Sequence, residues 1–299
     1  MIIVKLMGGL GNQMFQYAAG RRLAHVHGTE LRLDHSFLET ARDIATPRRY
    51  ELCHLNVSCS RASRDDCSAV AMHGLIGPRR WIMANRPLSL QLSLSGCTIQ
   101  ERSFCFDPAF FTLPDNVYIE GYWQSERYFS DITGIIREEF SFQEPLSGEN
   151  LRIADAINSC CAVSLHIRRG DYVSSKQTAA VHGVCSLNYY SRAVKKLAEQ
   201  EPDPHFFVFS DDITWVMEHL RIDYPVTFVG HNTADRGYDD MRLMSQCRHH
   251  IIANSSFSWW GAWLNPRPDK VVIAPSRWFS DPAIDTSSLI PASWHRITP

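Results

Sequence analysis

The sequence predicts an α/β fold in two halves, each built on a parallel sheet. Three observations carry this. Short apolar runs of strand length alternate with helical stretches, a rhythm that implies parallel strands joined by right-handed crossovers. The 299 residues are enough for two domains of ordinary size. Phe142–Asn150, with Pro145 and Gly148, breaks the pattern near the middle and is the natural linker. The expected domains are 1–145 and 150–299.

The elements follow in order. Ile2–Leu6 is a strand, Asn12–His25 an amphipathic helix and Glu30–Asp34 a second strand. Asp43–Gly96 has little period. Val117–Trp123 is a strand running into a loop, and Tyr128–Phe140 a helix. In the second half, Ser164–Arg168, Phe206–Ser210, Val226–Val229, His250–Ala253 and Val271–Ala274 are strands. Leu187–Gln200, Ile213–Leu220, Asp239–Cys247 and Phe257–Leu264 are the helices between them. Neither repeats nor low-complexity tracts occur.

Bulk properties exclude several classes. A net charge of −2 gives no polybasic signature, so nucleic acid is not an expected partner. No apolar run approaches the ~18 residues of a membrane span. The start Met1–Leu6 enters a strand directly and does not read as a signal peptide. Nine cysteines, an odd number without CxxC spacing, read as free thiols of a reducing cytoplasm.

Four stretches carry candidate chemistry. In Ala162–Val173, strand alternation puts Ser164, His166 and Arg168 on one face and Val163, Leu165 and Ile167 on the other. A polar face ending in Arg168-Arg169-Gly170-Asp171 suits either an anion, which the arginine fork can grip, or a structural salt bridge. Gly8-Gly9-Leu10-Gly11-Asn12-Gln13 lies between a strand and a helix, with Asp34 further on. A dinucleotide loop needs a third glycine where this chain has Met14. What remains is a tight turn, or a loop whose backbone approaches a ligand with Asn12 and Gln13 at the helix start.

Ser210-Asp211-Asp212 looks like a metal-binding pair but stands where helix caps are expected, as do Asp239 and Asp240. Asn254-Ser255-Ser256-Phe257-Ser258-Trp259-Trp260 combines hydroxyls with a helix start, which suits an anion or plain serine capping. Its tryptophans read as core. The adjacent His249 and His250 should face apart, without a metal pattern.

In order and spacing, the stretches at 8–17, 166–171, 209–212 and 254–260 resemble the bacterial α-1,2-fucosyltransferases, glycosyltransferase family 11. The resemblance runs from Met1 to about Trp278 and is weakest over Asp43–Gly96. It implies a GT-B-like fold, two Rossmann-like domains with parallel sheets facing a central cleft, the first on the acceptor side and the second binding GDP-fucose. It implies inverting transfer of L-fucose from GDP-β-L-fucose to the 2-hydroxyl of a terminal galactose. The acceptor would be a galactose-terminated oligosaccharide or lipid-linked glycan, such as an O-antigen or capsule repeat. The setting would be cytoplasmic or peripheral at the inner face of the membrane, without a transmembrane span.

No cofactor or metal is expected. Arg168 would neutralise charge growing on the leaving diphosphate, and Arg169 with Ser255, Ser256 and Ser258 would hold the rest of it. Asp171 or His166 would orient the arginines or serve as base. Gly9, Gly11 and Asn12 would border the cleft, Ser210 and Asp211 would support the donor, and Asp240 would face guanine. Another fucosyl linkage, α-1,6 or protein O-fucosylation, and a non-catalytic nucleotide-sugar or glycan-binding protein are the alternatives.

Overall fold

A computed structural model of the protein describes residues 1–40, 48–71, 86–88, 90, 91, 97–170, 181 and 183–299. They form two compact units, Met1–Gln143 with Ile284–Pro291, and Glu144–Ala283 with Ala292–Pro299. Sequence placed all of 150–299 in one domain. The excursion Ile284–Pro291 instead joins the first unit, where Ser125 donates to the Ser288 carbonyl at 2.7 Å.

The first unit contains β1 (Ile2–Lys5), α1 (Leu10–His27), β2 (Leu31–Asp34), α2 (Ser36–Thr40), β3 (Ser60–Arg61), α3 (Arg64–Ala71), β4 (Thr98–Gln100), β5 (Val117–Glu120) and α4 (Thr133–Glu139). Its sheet has the order β3-β2-β1-β5-β4, all parallel. The central strand, Ile2, Ile3 and Val4, is fully buried, as strands covered on both faces are.

Helix α1 is not amphipathic, contrary to the sequence reading. Gln13 and Gln16 lie buried beside Met14, Phe15 and Tyr17. Their amides are satisfied internally. Gln13 donates to the carbonyls of Gly8 and Arg49 and accepts from Glu51 N–H, while Gln16 donates to Gly121 and accepts from Met7 N–H. Burial is tolerated because every polar atom is paired. The helix expected over Tyr128–Phe140 is two 3₁₀ turns, Glu126–Tyr128 and Ser130–Ile132, followed by α4.

The second unit contains α5 (Gly148–Asn158), β6 (Cys161–Ile167), α6 (Leu187–Ala198), β7 (Pro204–Ser210), α7 (Ile213–His219), β8 (Val226–Val229), α8 (Gly237–Gln246), β9 (His249–Ile251), α9 (Ser256–Leu264), β10 (Val272–Pro275) and β11 (His295–Ile297). The parallel order is β11-β10-β9-β6-β7-β8. Strand β6 is central, pairing β7 over its whole length and β9 over Val163–Leu165.

Its two faces divide as alternation requires. Val163, Leu165 and Ile167 pack with Tyr189, Tyr190, Ala193 and Leu197 of α6. Ser164 and His166 turn the other way: Ser164 bonds His250 at 2.8 Å, and the His166 ring lies 5.6 Å from Phe257. The tryptophans of α9 are core. Trp259 and Trp260 are fully buried, and Trp259 packs on Trp263 and Trp294. Deleting one such ring costs roughly 3–5 kcal/mol.

Candidate active site

In parallel α/β sheets ligands gather at the carboxyl ends of the strands, and the second unit concentrates its polar groups there. Strand β6 ends at Ile167 and delivers Arg168 and Arg169. Strand β7 ends at Ser210 and delivers Asp211 and Asp212. Arg168 Nη1 lies 3.0 Å from Asp211 Oδ2, and Arg169 Nε 3.2 Å from Asp212 Oδ2. The other Asp211 oxygen accepts the Arg169 backbone N–H at 2.8 Å. This crossing requires Gly170, because a Cβ there would collide with the Asp211 carboxylate.

The aspartates resembling a metal pair are thus spent on holding the arginines. Asp212 also caps α7, accepting from Trp215 N–H at 3.4 Å, and Ser210 accepts from Asp212 N–H at 3.0 Å. Ser210 serves the turn.

His166 is buried, and burial lowers its pKa to about 4, so the imidazole is neutral at physiological pH. Its Nδ1 makes no hydrogen bond to the described residues. Asp171 lies outside the described residues.

Helix α9 begins beside these groups. Phe257 connects them, with the His166 ring on one side and Gly237, first residue of α8, 3.7 Å from its ring for a built Cβ. Plain serine capping is not what the turn does. Ser255 makes no side-chain cap bond, and its carbonyl accepts from Trp259 N–H and from the buried Ser258 hydroxyl. Ser258 is therefore an internal prop rather than a ligand group. The start of α9 therefore has no side-chain cap from Ser255, and its helix dipole suits an anion. Asn254 is buried, donating to Trp278 O and accepting from Cys185.

On α8 the two acids differ. Asp239 is 3% exposed and receives both Nε and Nη2 of Arg236 at 2.9 and 2.6 Å. Asp240 accepts from Asn232 Nδ2 at 2.7 Å, within a polar cluster with Asn150 and His231. Burial raises the Asp240 pKa to about 7.

In the first unit, Gly8 has φ +75, and a Cβ there would strike Asn12, so glycine is required. Gly9 faces Arg48 and Glu51, Gly11 is buried, and Asn12 accepts from Gln124 Nε2 at 2.8 Å. Gln13 is wholly internal and not a ligand group.

Sequence reasoning missed a feature at the ends of β4 and β5. A cavity of about 270 Å³ is lined by Glu101, Arg102, Phe106, Asp107, Trp123 and Tyr128, among others. Glu101 accepts from the backbone N–H of Tyr122 and Trp123, yet burial raises its pKa to about 7. The Glu101 proton is therefore held by the native state between about pH 4.5 and 7 while the unfolded chain releases it. The native state loses this contribution as pH rises through that window. The melting temperature of Glu101→Gln relative to the parent should accordingly shift in the variant's favour between pH 5 and 8. A flat difference would contradict the raised pKa.

Among the described residues, three metal-capable side chains converge, Cys161, Glu201 and His249. They sit at the opposite, amino end of β6 and β9. Val271 N–H donates to His249 Nδ1 at 2.9 Å, which puts the ring proton on Nε2, 3.4 Å from Glu201. A protonated Nε2 cannot ligate, so this trio does not fit a metal. His250 uses both ring nitrogens, with Ser164 and Asn265.

Comparison with known proteins agrees with this geometry. The model of Glycosyl transferase family 11 matches residues 104–298. An alpha-1,2-colitosyltransferase of Escherichia coli is 33% identical over 99% of this chain and 98% of its own length. The O-antigen biosynthesis glycosyltransferase WbnK of Escherichia coli is 32% identical over 97% of this chain and 98% of its own. A solved structure of a mutant of Arabidopsis thaliana FUT1 in complex with GDP aligns with a TM-score of 0.51 at 11% identity, covering 91% of this chain and 70% of that one. That likeness concerns the fold, a GT-B-like pair of parallel-sheet α/β units. With an arginine pair and an uncapped helix start at one sheet edge, and relatives matched end to end, the chain belongs to glycosyl transferase family 11.

Proposed function

We propose that this glycosyltransferase moves L-fucose from GDP-β-L-fucose to the 2-hydroxyl of a terminal galactose, inverting to an α link. The observation that carries the reading is the set of anion-binding groups at the carboxyl edge of the second sheet. Arg168, Arg169 and the first turn of α9 offer charge and directed donors together, as a diphosphate leaving group needs. Asp240 would take the guanine N1 and N2 donors. The acceptor would be a galactose-terminated, O-antigen-like glycan, in keeping with the WbnK relative. Acceptor binding falls to the first unit, whose cavity beside Glu101 offers aromatic and polar walls. The setting is cytoplasmic, at or near the inner face of the membrane. No helix among the described residues is long and apolar enough to cross a membrane.

A second donor is favoured by one finding, the colitosyltransferase relative at 33% identity. Colitose is L-fucose without its 3-hydroxyl. Purified protein should therefore be given GDP-fucose or GDP-colitose with β-1,3- and β-1,4-galactosides, followed by linkage analysis of the product. An α-1,2-fucosylated galactose is expected. Transfer from GDP-colitose alone would replace the donor assignment, and any other linkage would overturn the regiochemistry.

Turnover should persist in excess EDTA, since Asp211 and Asp212 are engaged by arginines and the Cys161 cluster cannot ligate. Loss of activity that Mn²⁺ or Mg²⁺ restores would show a required metal.

A further inference from the structure

The two arginines are held differently. Arg168 is paired through Nη1 with Asp211. Arg169 is gripped by its Nε, which bonds Asp212 at 3.2 Å, and by its face, since its Cζ lies 3.4 Å from the centroid of the Trp215 ring. That distance is van der Waals contact, so the guanidinium is laid flat on the indole. Its Nη1 and Nη2 make no hydrogen bond to any described residue.

Trp215 is itself fixed. It packs against the core of the second unit. The His219 ring stacks on it at 4.3 Å and 11°, one helical turn on. Two groups stacked this closely on one ring must use opposite faces, giving a three-layer stack of Arg169, Trp215 and His219. Both restraints come from the same turn, because Asp212 is the N-cap of α7 and accepts from Trp215 N–H. The cap holds the guanidinium in its plane while the ring three residues later fixes the tilt of that plane.

We propose that Trp215 is a positioning residue for donor binding. It holds Arg169 so that the Nη edge forms a preformed fork for the diphosphate. The inference rests on the donor assignment made above and adds the means by which this chain orients Arg169. An arginine with free rotamers gives up side-chain entropy on binding; one already stacked and paired has given it up on folding. Neither neighbouring carboxylate covers the Nη edge, since Asp212 takes the Nε and Asp211 the backbone N–H. Trp215 touches no substrate in this scheme. Its effect appears in donor affinity rather than in the chemical step.

The test is GDP binding by calorimetry, with kinetics, on the parent, Trp215→Leu, Trp215→Phe and Asp212→Asn. Leucine keeps an apolar anchor but offers no π face. Its GDP affinity and donor KM should worsen roughly 3- to 30-fold, the range of a stacked cation, with acceptor KM and kcat at saturating donor within about twofold. Phenylalanine keeps a face and should restore most of the affinity. Asp212→Asn retains a good cap and removes the charged partner, so it should weaken GDP binding without lowering the melting temperature, and parent-like GDP binding by it would overturn the preformed fork even if Trp215→Leu does not fold. GMP, lacking the second phosphate, should bind parent and Trp215→Leu more nearly alike than GDP does. Equal losses in the leucine and phenylalanine variants, or parent-like GDP binding by Trp215→Leu, would overturn the role of Trp215 alone. A parent protein that binds no GDP would overturn the donor assignment as well.

Discussion

Arg168→Lys should lower transfer about 10²- to 10³-fold while the protein stays folded. The loss corresponds to roughly 3–4 kcal/mol of transition-state stabilisation, the usual worth of one directed donor at a site of developing charge. Arg168 stands at the end of β6, with Asp211 on Nη1 at 3.0 Å. Arginine can keep that pair and still present other N–H groups. Lysine is a single point charge on a flexible stem, so the ammonium that pairs with Asp211 is withdrawn from the leaving phosphate. Stability should change little, because the side chain is partly exposed and such pairs contribute about 0–1 kcal/mol. Steady-state kinetics with a melting curve on the same preparation checks both halves. A near-parental kcat would remove Arg168 from the leaving-group role.

Asp240→Ala should raise the donor KM ten- to a hundredfold and leave kcat nearly unchanged. A charge-assisted hydrogen bond contributes about 1.5–3 kcal/mol, and a contact to guanine is made equally before and during reaction. Local spacing puts both Asp239 and Asp240 at a helix start, and the family resemblance implies Asp240 for guanine. In the structure Asp239 is consumed by Arg236, so Asp239→Ala should lower the melting temperature without moving the donor KM. Asp240 bonds Asn232 through one oxygen. Because burial raises its pKa to about 7, protons compete with guanine. The donor KM should rise as pH falls from 8 to 6 in the parent and lose that slope in the variant. A donor defect confined to Asp239→Ala would reverse the assignment.

Much of the fold was legible because β6, β7, β8 and β9 are short and each is followed by a helix. Val226–Val229 was read with its observed bounds, and β6, β7 and β9 within a few residues. The misreadings have physical causes. Helix α5, inside and beyond the stretch read as linker, begins on Gly148 at φ +56, a residue that signals a break rather than a start. Strands β3, β4 and β11 have two or three residues each, too few to show a period. The span Asn12–His25 reads as amphipathic because sequence cannot show that backbone groups distant along the chain will pair with Gln13 and Gln16 inside the fold.

By itself, the sequence determined which groups could meet an anion. Strand alternation put His166 and Arg168 on one face, and the positions of Asp211, Asp212, Asp240 and Ser255 at helix starts followed from local spacing. Period and capping are properties of a few consecutive residues, so they are written locally. Only the tertiary structure decided what each group does. The pairing of β6 with β7 carries Asp211 and Asp212 to Arg168 and Arg169, turning an apparent metal pair into two clamps. Packing of α7 on the sheet brings Trp215 under Arg169 across 46 residues of chain. Burial, which depends on everything around a side chain, moves the pKa of Glu101 and Asp240 to about 7 and of His166 to about 4. Charge state, orientation and partner are set by neighbours from elsewhere in the chain, and only folding supplies them.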